Sequence, residues 1–302
     1  MSYTGPELEP PQQRRPRRGP LVVTLAALVA GALAGWLAYE TAGGGGGHTD
    51  TAAPSSPSPS DHASASASSG ADGKAAAPLA GKVVVIDPGH NPDNFRHPAE
   101  INRKVDIGSN LKECDTTGTA TDDGYAEASF TLDVAHRLRA LLERQGATVR
   151  LTHDDKGPDW GPCVTERAAI GNKAHADAAI SIHADGAPAG DRGFHVILPG
   201  AVHAGAADTR PIVEPSRDLG KRVAGSFLRA TGEPPSNYIG HGTALDTRTD
   251  LGGLNLSTVP KVFIECGNMR DTKDAALLTS GSWRQKAAQG ISEGIVSFLR
   301  GS

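Results

Sequence analysis

Two histidines and one glutamate carry the clearest chemical signal in this 302-residue sequence. His90 and His183 each come at the carboxyl end of a short apolar run, and Glu127 opens a helical stretch between them. Buried parallel strands have such apolar sequences, and open α/β sheets bind ligands beyond the carboxyl ends of their strands. Two imidazoles and one carboxylate could therefore converge, which is the ligand set of a catalytic zinc site with one open position.

Each of these residues also has a simpler interpretation. A single histidine is more often structural than metal-binding. The alternative role of Glu127 is to complement the helix dipole without binding a metal. Glu265 ends the apolar run Val262–Ile264, where an unpaired carboxylate is costly to bury. It is therefore either a proton-transfer group with a raised pKa or the ion-pair partner of a basic residue such as Arg167 or Arg270.

The elements that must position these residues alternate between strands and helices. A first strand at 83–86 is followed by a long polar segment at 91–124 and a helix that ends near Gly146. Further strands are predicted at 147–152, 178–183, 193–198 and 259–265. Helices at 165–174, 216–230 and 283–299 alternate with them. This alternation predicts a single α/β domain with a mainly parallel twisted sheet, helices on both faces and the polar residues along one sheet edge. A polar segment as long as 91–124 is typical of a functional flap or a small hairpin.

The N-terminal quarter of the chain has a different character. Residues 1–20 form a basic tail that we expect to stay in the cytoplasm, and residues 21–42 contain an apolar stretch expected to be a signal peptide or signal anchor. Residues 43–80 are rich in Gly, Ala, Ser and Pro and predict a disordered linker. Residues 81–302 then form an exported domain, either secreted into the cell wall space or tethered, with membrane contact only through the N-terminal segment.

Export changes how the three cysteines are interpreted. Cys114 and Cys163 lie in loop-like sequence, and an oxidising compartment permits a disulfide between them, with two free thiols as the alternative. Cys266 follows an apolar run and is expected to be a buried single thiol. The formal net charge of −4 and an aromatic content of 4% give no basic face for nucleic acid, so we exclude that partner. We expect a monomer.

Several separated motifs closely resemble the zinc-dependent N-acetylmuramoyl-L-alanine amidases of the amidase-3 family. The resemblance covers about residues 81–300 and is closest to stand-alone exported amidases without a wall-binding module. The motifs occur in order at Val85–His90, Glu127–Ala135, Val149–Thr152, Arg167, Ser181–Asp185 and Glu265–Asn268. The contexts of Cys114 and Cys163, and the segment Asn237–Gly240, are also shared.

The resemblance implies that His90, Glu127 and His183 bind one zinc ion per chain and that Glu265 is the catalytic carboxylate. It implies a peptidoglycan or muropeptide substrate, cleaved between the lactyl group of N-acetylmuramic acid and L-alanine of the stem peptide. Asp87, Arg167 and Asn268 are candidates for supporting the ligands or contacting substrate, and Asp87 could instead serve only the turn beside Pro88.

Two positions depart from the pattern of the family. His153 stands where arginine is frequent, and Asn268 stands where phenylalanine is frequent. Neither position is a predicted metal ligand or the catalytic carboxylate. Two other functions stay open: a catalytically silent wall-binding or regulatory module, and a zinc peptidase that acts within the stem peptide.

Overall fold

The computed structural model describes residues 77–301. The predicted basic tail, membrane segment and most of the linker lie outside the described residues. Across 77–301, no helix combines the length and apolar character needed to cross a membrane. Leu79, assigned to the linker from sequence, is fully buried, and its amide donates to the Gln145 carbonyl at 2.8 Å. Packing against the domain therefore begins slightly before the predicted boundary at Gly81.

Residues 77–301 contain ten strands and seven α-helices. The strands are β1 (Val83–Pro88), β2 (Lys104–Asp106), β3 (Leu111–Glu113), β4 (Thr148–Leu151), β5 (Ala178–Asp185), β6 (His195–Pro199), β7 (His203–Ala204), β8 (Ala207–Asp208), β9 (Leu245–Arg248) and β10 (Lys261–Asn268). The helices are α1 (Pro98–Ile101), α2 (Glu127–Arg144), α3 (Val164–Lys173), α4 (Val213–Thr231), α5 (Gly252–Asn255), α6 (Thr272–Leu278) and α7 (Gly281–Arg300). Two 3-10 turns, Asn94–Arg96 and Gly240–Gly242, complete the list.

A six-stranded sheet in the order β4-β1-β5-β10-β6-β9 forms the centre of the domain. Strands β4, β1, β5 and β10 are mutually parallel, which confirms the predicted α/β class and the mainly parallel sheet. Strand β6 runs antiparallel to β10, and β9 is parallel to β6. Because β6 is reversed, its first residue lies beside the carboxyl end of β10.

The two faces of the sheet are covered differently. Helices α2, α4 and α7 pack on one face, where Val84, Ile86, Ile180, Val262 and Ile264 enter a continuous apolar core. The other face is covered by α3, α5 and the loop that follows β1, over smaller apolar clusters. Alternate side chains point to opposite faces of a strand, so the polar residues of β1, β5 and β10 face the second side. The polar residues that were predicted along one sheet edge therefore also cover part of the sheet face beneath α3 and α5.

The long polar segment between β1 and α2 contains the predicted hairpin, made of β2 and β3. Cys114 follows β3 and forms a disulfide with Cys163, the residue that precedes α3. Both cysteines are buried against Val105 and Ile107 of the hairpin region. The bridge therefore fixes the far end of the hairpin to α3, while Cys266 is a buried free thiol as expected.

Helices α4 and α7 approach each other closely because glycines stand where their backbones meet. A Cβ atom added at Gly294 would lie 2.5 Å from the Cα of Val223, and one at Gly290 would lie 2.8 Å from the Cα of Phe227. Backbone atoms cannot move aside as a flexible side chain can. Gly290 and Gly294 lie in α7, whereas Gly225 lies in α4. A Cβ atom added at Gly225 would meet only the Arg229 side chain, at 3.4 Å.

We predict that Gly294→Ala lowers the free energy of unfolding by about 1–3 kcal/mol, because α7 must shift away from α4. Gly225→Ala is the matched control and should raise it by up to about 1 kcal/mol, since alanine is the better helix former. Urea unfolding of the two purified variants checks the difference. Equal effects of the two substitutions would contradict the close contact.

Candidate metal centre

Three side chains from separate elements meet at the carboxyl end of the parallel strands. His90 lies just after β1, Glu127 is the first residue of α2, and His183 lies within β5. The distance from His90 Nε2 to Glu127 Oε2 is 3.1 Å, and that from His183 Nδ1 to Glu127 Oε1 is 2.9 Å. One ligand atom from each residue lies within 4.8 Å of the other two. The convergence predicted from sequence is therefore present, although β5 continues past His183 to Asp185.

Close packing around two glycines makes this arrangement possible. A Cβ atom at Gly89 would lie 2.3 Å from the His183 ring, and one at Gly118 would lie 2.7 Å from the His90 ring and 2.8 Å from Glu127. Any side chain at either position would therefore push the ligand groups apart. His90 itself has a φ of 62°, a left-handed conformation that turns its ring back toward β5.

The donor set fits a zinc ion. Two imidazole nitrogens and one carboxylate oxygen that lie within 4.8 Å of one another match the number and type of protein ligands in a catalytic zinc site. His90 Nδ1 lies 3.0 Å from the carbonyl oxygen of Thr116, so its Nε2 is left for a metal. The His183 ring stacks on Phe263 at a centroid distance of 5.2 Å, which fixes the direction of its Nδ1.

Glu127 is held as a carboxylate by its neighbours. Burial opposes its ionisation, but the charge of His90 and the hydrogen bond from His183 outweigh burial and lower the pKa of Glu127. The amides of Thr119 and Ala184 donate further hydrogen bonds to the same carboxylate. An anionic glutamate between two imidazoles is the state that a divalent cation requires.

Glu265 lies beside this cluster, in β10 directly opposite His183 of β5. Its Oε2 is buried and has no hydrogen-bond partner among residues 77–301. Burial, together with the negative charges of Glu127 and Asp185, raises the pKa of Glu265 well above its usual value. Neither arginine named from sequence pairs with Glu265, because Arg167 pairs with Asp87 and Asp115, and Arg270 pairs with Asp122.

A buried ionic cluster lies beneath the three candidate ligands. Asp87 Oδ1 accepts from Arg167 Nη1 at 2.9 Å and from Thr152 Oγ1 at 2.8 Å. Its Oδ2 accepts from Lys261 Nζ and from Ser181 Oγ, both at 3.0 Å. All four side-chain oxygen contacts of Asp87 therefore go to these donors, and the expected contact between Asp87 and a ligand imidazole is absent.

Arg167 connects this cluster to the loop that carries His90. Its Nη2 donates to the His90 carbonyl at 2.8 Å and to Asp115 Oδ2 at 2.8 Å. Sequence reasoning missed Asp115 and Lys261. A lysine at the start of an apolar strand was the available signal for Lys261, whereas the polar sequence around Asp115 gave none.

Asn268 does not face the candidate ligands. Its Nδ2 donates to the carbonyls of Ala187 and Pro188 at 3.0 and 3.1 Å, and it also contacts that of Asp191. It therefore orders the loop after β5. His153, the other departure noted from sequence, is buried with its Nε2 3.0 Å from the Pro88 carbonyl oxygen.

A cleft of about 360 Å³ opens over the three ligand residues and Glu265. Its far wall carries the charged side chains of Lys112, Glu113, Arg248 and Asp250. Apolar surface is supplied by Ile197, Leu251 and Phe263. The cleft therefore combines a metal-ligand set, a carboxyl group of raised pKa and a mixed wall suited to a polar, peptide-like ligand.

We predict that Asp87→Asn lowers the free energy of unfolding near neutral pH by about 3–5 kcal/mol, because Arg167 and Lys261 lose their shared anion. The same cations lower the pKa of Asp87 against the effect of burial. Ionised Asp87 therefore makes its full contribution to the free energy of unfolding above the unfolded-state pKa of about 3.9. This contribution is lost as the pH falls below that value.

Urea unfolding over a pH series checks this, and the difference between wild type and Asp87→Asn should shrink as the pH falls through about 4. Thr152→Val, which removes only a neutral donor to the same oxygen, is the control and should cost about 1 kcal/mol at every pH. A difference for Asp87→Asn that stays constant with pH would contradict the charge assignment.

Comparison with known proteins gives consistent matches. A family model described as N-acetylmuramoyl-L-alanine amidase matches residues 84–297. N-acetylmuramoyl-L-alanine amidase Rv3717 of Mycobacterium tuberculosis is 41% identical over 224 residues, which cover 74% of this chain and 88% of the relative. The crystal structure of the N-acetylmuramyl-L-alanine amidase Ami1 from Mycobacterium smegmatis is 41% identical with a TM-score of 0.67, covering 74% of this chain and 99% of that one. Apo Ami1 from Mycobacterium abscessus is also 41% identical, with a TM-score of 0.66 and coverage of 73% and 100%.

Proposed function

The chain belongs to the N-acetylmuramoyl-L-alanine amidase family, and from this premise we propose that it hydrolyses the amide between the lactyl group of N-acetylmuramic acid and L-alanine of the stem peptide, with zinc bound by His90, Glu127 and His183. The observation that carries the proposal is the position of Glu265. It lies opposite His183 and lines the cleft, so one carboxyl group borders both the ligand set and the space for substrate.

Zinc held by this ligand set would polarise the lactyl carbonyl and lower the pKa of water in the open position. His90 and His183 supply neutral nitrogen ligands, and Glu127 supplies the single negative charge. Two imidazoles and one carboxylate leave such a site able to accept water or a carbonyl oxygen. Phe263 and the Thr116 carbonyl keep the two rings in place while substrate enters and leaves.

Glu265 is the proposed general base and general acid. Its raised pKa favours uptake of a proton from the attacking water, and the same group can then donate that proton to the leaving amine of L-alanine. One water proton passes through Glu265 to the amine nitrogen as the carbon–nitrogen bond breaks. The water oxygen and the second proton remain in the new lactyl carboxylic acid, which then ionises and gives that proton to the free amine at neutral pH. General acid–base catalysis of this kind contributes about 10²- to 10⁴-fold.

The proposed location of this activity is the cell wall space. The disulfide between Cys114 and Cys163 supports an oxidising compartment. The peptidoglycan substrate of the family is found there, and the proposed N-terminal segment, residues 21–42, would deliver the domain either secreted or tethered. The catalytic domain is proposed to begin just before Leu79, which packs against it, with the preceding linker as spacer.

We predict that the purified protein, given muramyl dipeptide or polymeric peptidoglycan, releases peptides with new L-alanine amino termini and leaves free lactyl carboxylates on the sugar. Mass spectrometry of the fragments checks this. Muramyl-linked short peptides would instead identify a peptidase that acts within the stem. Binding without any new amino terminus would identify a silent wall-binding module.

We predict that Glu265→Gln lowers kcat by about 10²- to 10⁴-fold while zinc content stays at one ion per chain, because the residue moves protons and does not bind the metal. His183→Ala should lose both zinc and turnover. Glu293→Gln, on the exposed side of α7, is the matched control and should change neither. Metal analysis and steady-state kinetics on the same samples check the three variants, and full turnover in Glu265→Gln would refute the role.

A further inference from the structure

A second histidine, His195, lies on the far side of Glu265 from the candidate ligands. His195 opens β6 and stands directly opposite Glu265 in the antiparallel pairing of β6 with β10. Directly opposed residues of an antiparallel pair point to the same face, with Cβ atoms about 4.5–5.5 Å apart. Glu265 therefore lies between His183 of β5 on one side and His195 of β6 on the other.

Both members of this pair carry a buried polar atom without a partner. Among residues 77–301, His195 Nδ1 and Glu265 Oε2 belong to a short group of buried side-chain atoms that make no hydrogen bond. His195 is only 2% exposed. Buried polar atoms are nearly always paired, so two orphaned atoms on facing residues call for a common explanation. A hydrogen bond from an imidazole N–H to a carboxylate oxygen satisfies both.

The His195 ring is oriented by Tyr238, which belongs to the segment Asn237–Gly240. Tyr238 meets the ring edge-on, with centroids 5.9 Å apart and an interplanar angle of 90°. The Tyr238 hydroxyl donates to Asp185 Oδ2 at 2.8 Å, and Asp185 is two residues after His183 in the same strand. Tyr238 thus links the carboxyl end of β5 to the imidazole beside Glu265.

A neutral His195 can donate a hydrogen bond to the Glu265 carboxylate without placing a positive charge beside it. Burial lowers the pKa of His195, and this outweighs the opposing effect of Asp185 and Asp246. The ring is therefore neutral near pH 7 and has one N–H. A proton on Nδ1 gives a donor toward Glu265 without a full positive charge, so the carboxyl group keeps its basicity.

We propose that His195 is a positioning residue that donates a hydrogen bond from Nδ1 to Glu265 Oε2 when substrate is bound, and thereby aims the other carboxyl oxygen at the attacking water. This inference rests on the proposed role of Glu265 as proton-transfer group. Catalytic hydrogen bonds frequently tighten only in the complex with substrate. Tyr238 limits the movement of the imidazole through its edge-on contact with the ring.

The first test compares two substitutions at one position. His195→Leu removes the donor and fills the space, whereas His195→Asn keeps an amide N–H close to where Nδ1 stands. We expect His195→Leu to lower kcat by about 10- to 100-fold with little change in KM, because a misplaced catalytic group costs rate without removing a substrate contact. His195→Asn should recover most of the loss.

Phe194→Leu is the control for packing, because Phe194 is fully buried next to His195 in sequence and faces the apolar core. It should lower Tm with little change in kcat. Equal losses of kcat in His195→Leu and His195→Asn, or a loss in Phe194→Leu that matches that of His195→Leu, would overturn the positioning role and leave His195 as a packing residue.

A double-mutant cycle separates this inference from the proposed function. Residual turnover is measured with enzyme in excess over muramyl dipeptide for Glu265→Ala alone and with His195→Leu added. Because His195 acts through Glu265, the second substitution should cause no further loss. An undiminished further loss would overturn the inference, whereas full activity of Glu265→Ala itself would overturn the proposed role of Glu265.

Discussion

The ion pair between Asp87 and Arg167 is the interaction on which the rest of the candidate site depends. Arg167 holds the carbonyl of His90 and the carboxylate of Asp115, so one guanidinium fixes the loop that leaves β1. Lys261 brings the start of β10 to the same Asp87 carboxylate. Charges buried this deeply return little net stability, because desolvation offsets most of their attraction. Their effect here is positional, because their hydrogen bonds join β1, α3, β10 and the loop that carries His90.

Alternate residues of each strand point to opposite faces of the sheet, so one face packs against helices while the other carries the candidate site. Residues such as Val84, Ile180 and Val262 point into the helical layer and supply the apolar burial that stabilises the domain. Their immediate neighbours point to the opposite face and include the charged cluster, His183 and Glu265. Because adjacent residues face opposite ways, the chemistry of one face and the packing of the other are set almost independently.

Local patterns in the sequence were sufficient for much of this architecture. The apolar runs that end near His90, His183 and Glu265 identified the central strands, and the helical period after Glu127 identified α2. The strand ends and the start of the helix predicted that His90, Glu127 and His183 converge, and the resemblance implied their roles and that of Glu265. The reversal of β6, the pairing of Asp87 with Arg167 and Lys261, and the burial of Leu79 could not be predicted, because each depends on contacts between distant parts of the chain. The position of His195 opposite Glu265 follows from the strand reversal and was missed for the same reason.

The order of the strands along the chain has a consequence for synthesis. β10 lies between β5 and β6 in the middle of the sheet, yet among the strands of residues 77–301 it is the last to be synthesised. A nascent polypeptide that ends before Lys261 already contains His90, Glu127 and His183, but it lacks both Glu265 and the strand that joins the two halves of the sheet. Polypeptides that end before Lys261 therefore lack the strand around which this sheet closes, so folding of the domain depends on contacts between residues far apart in sequence.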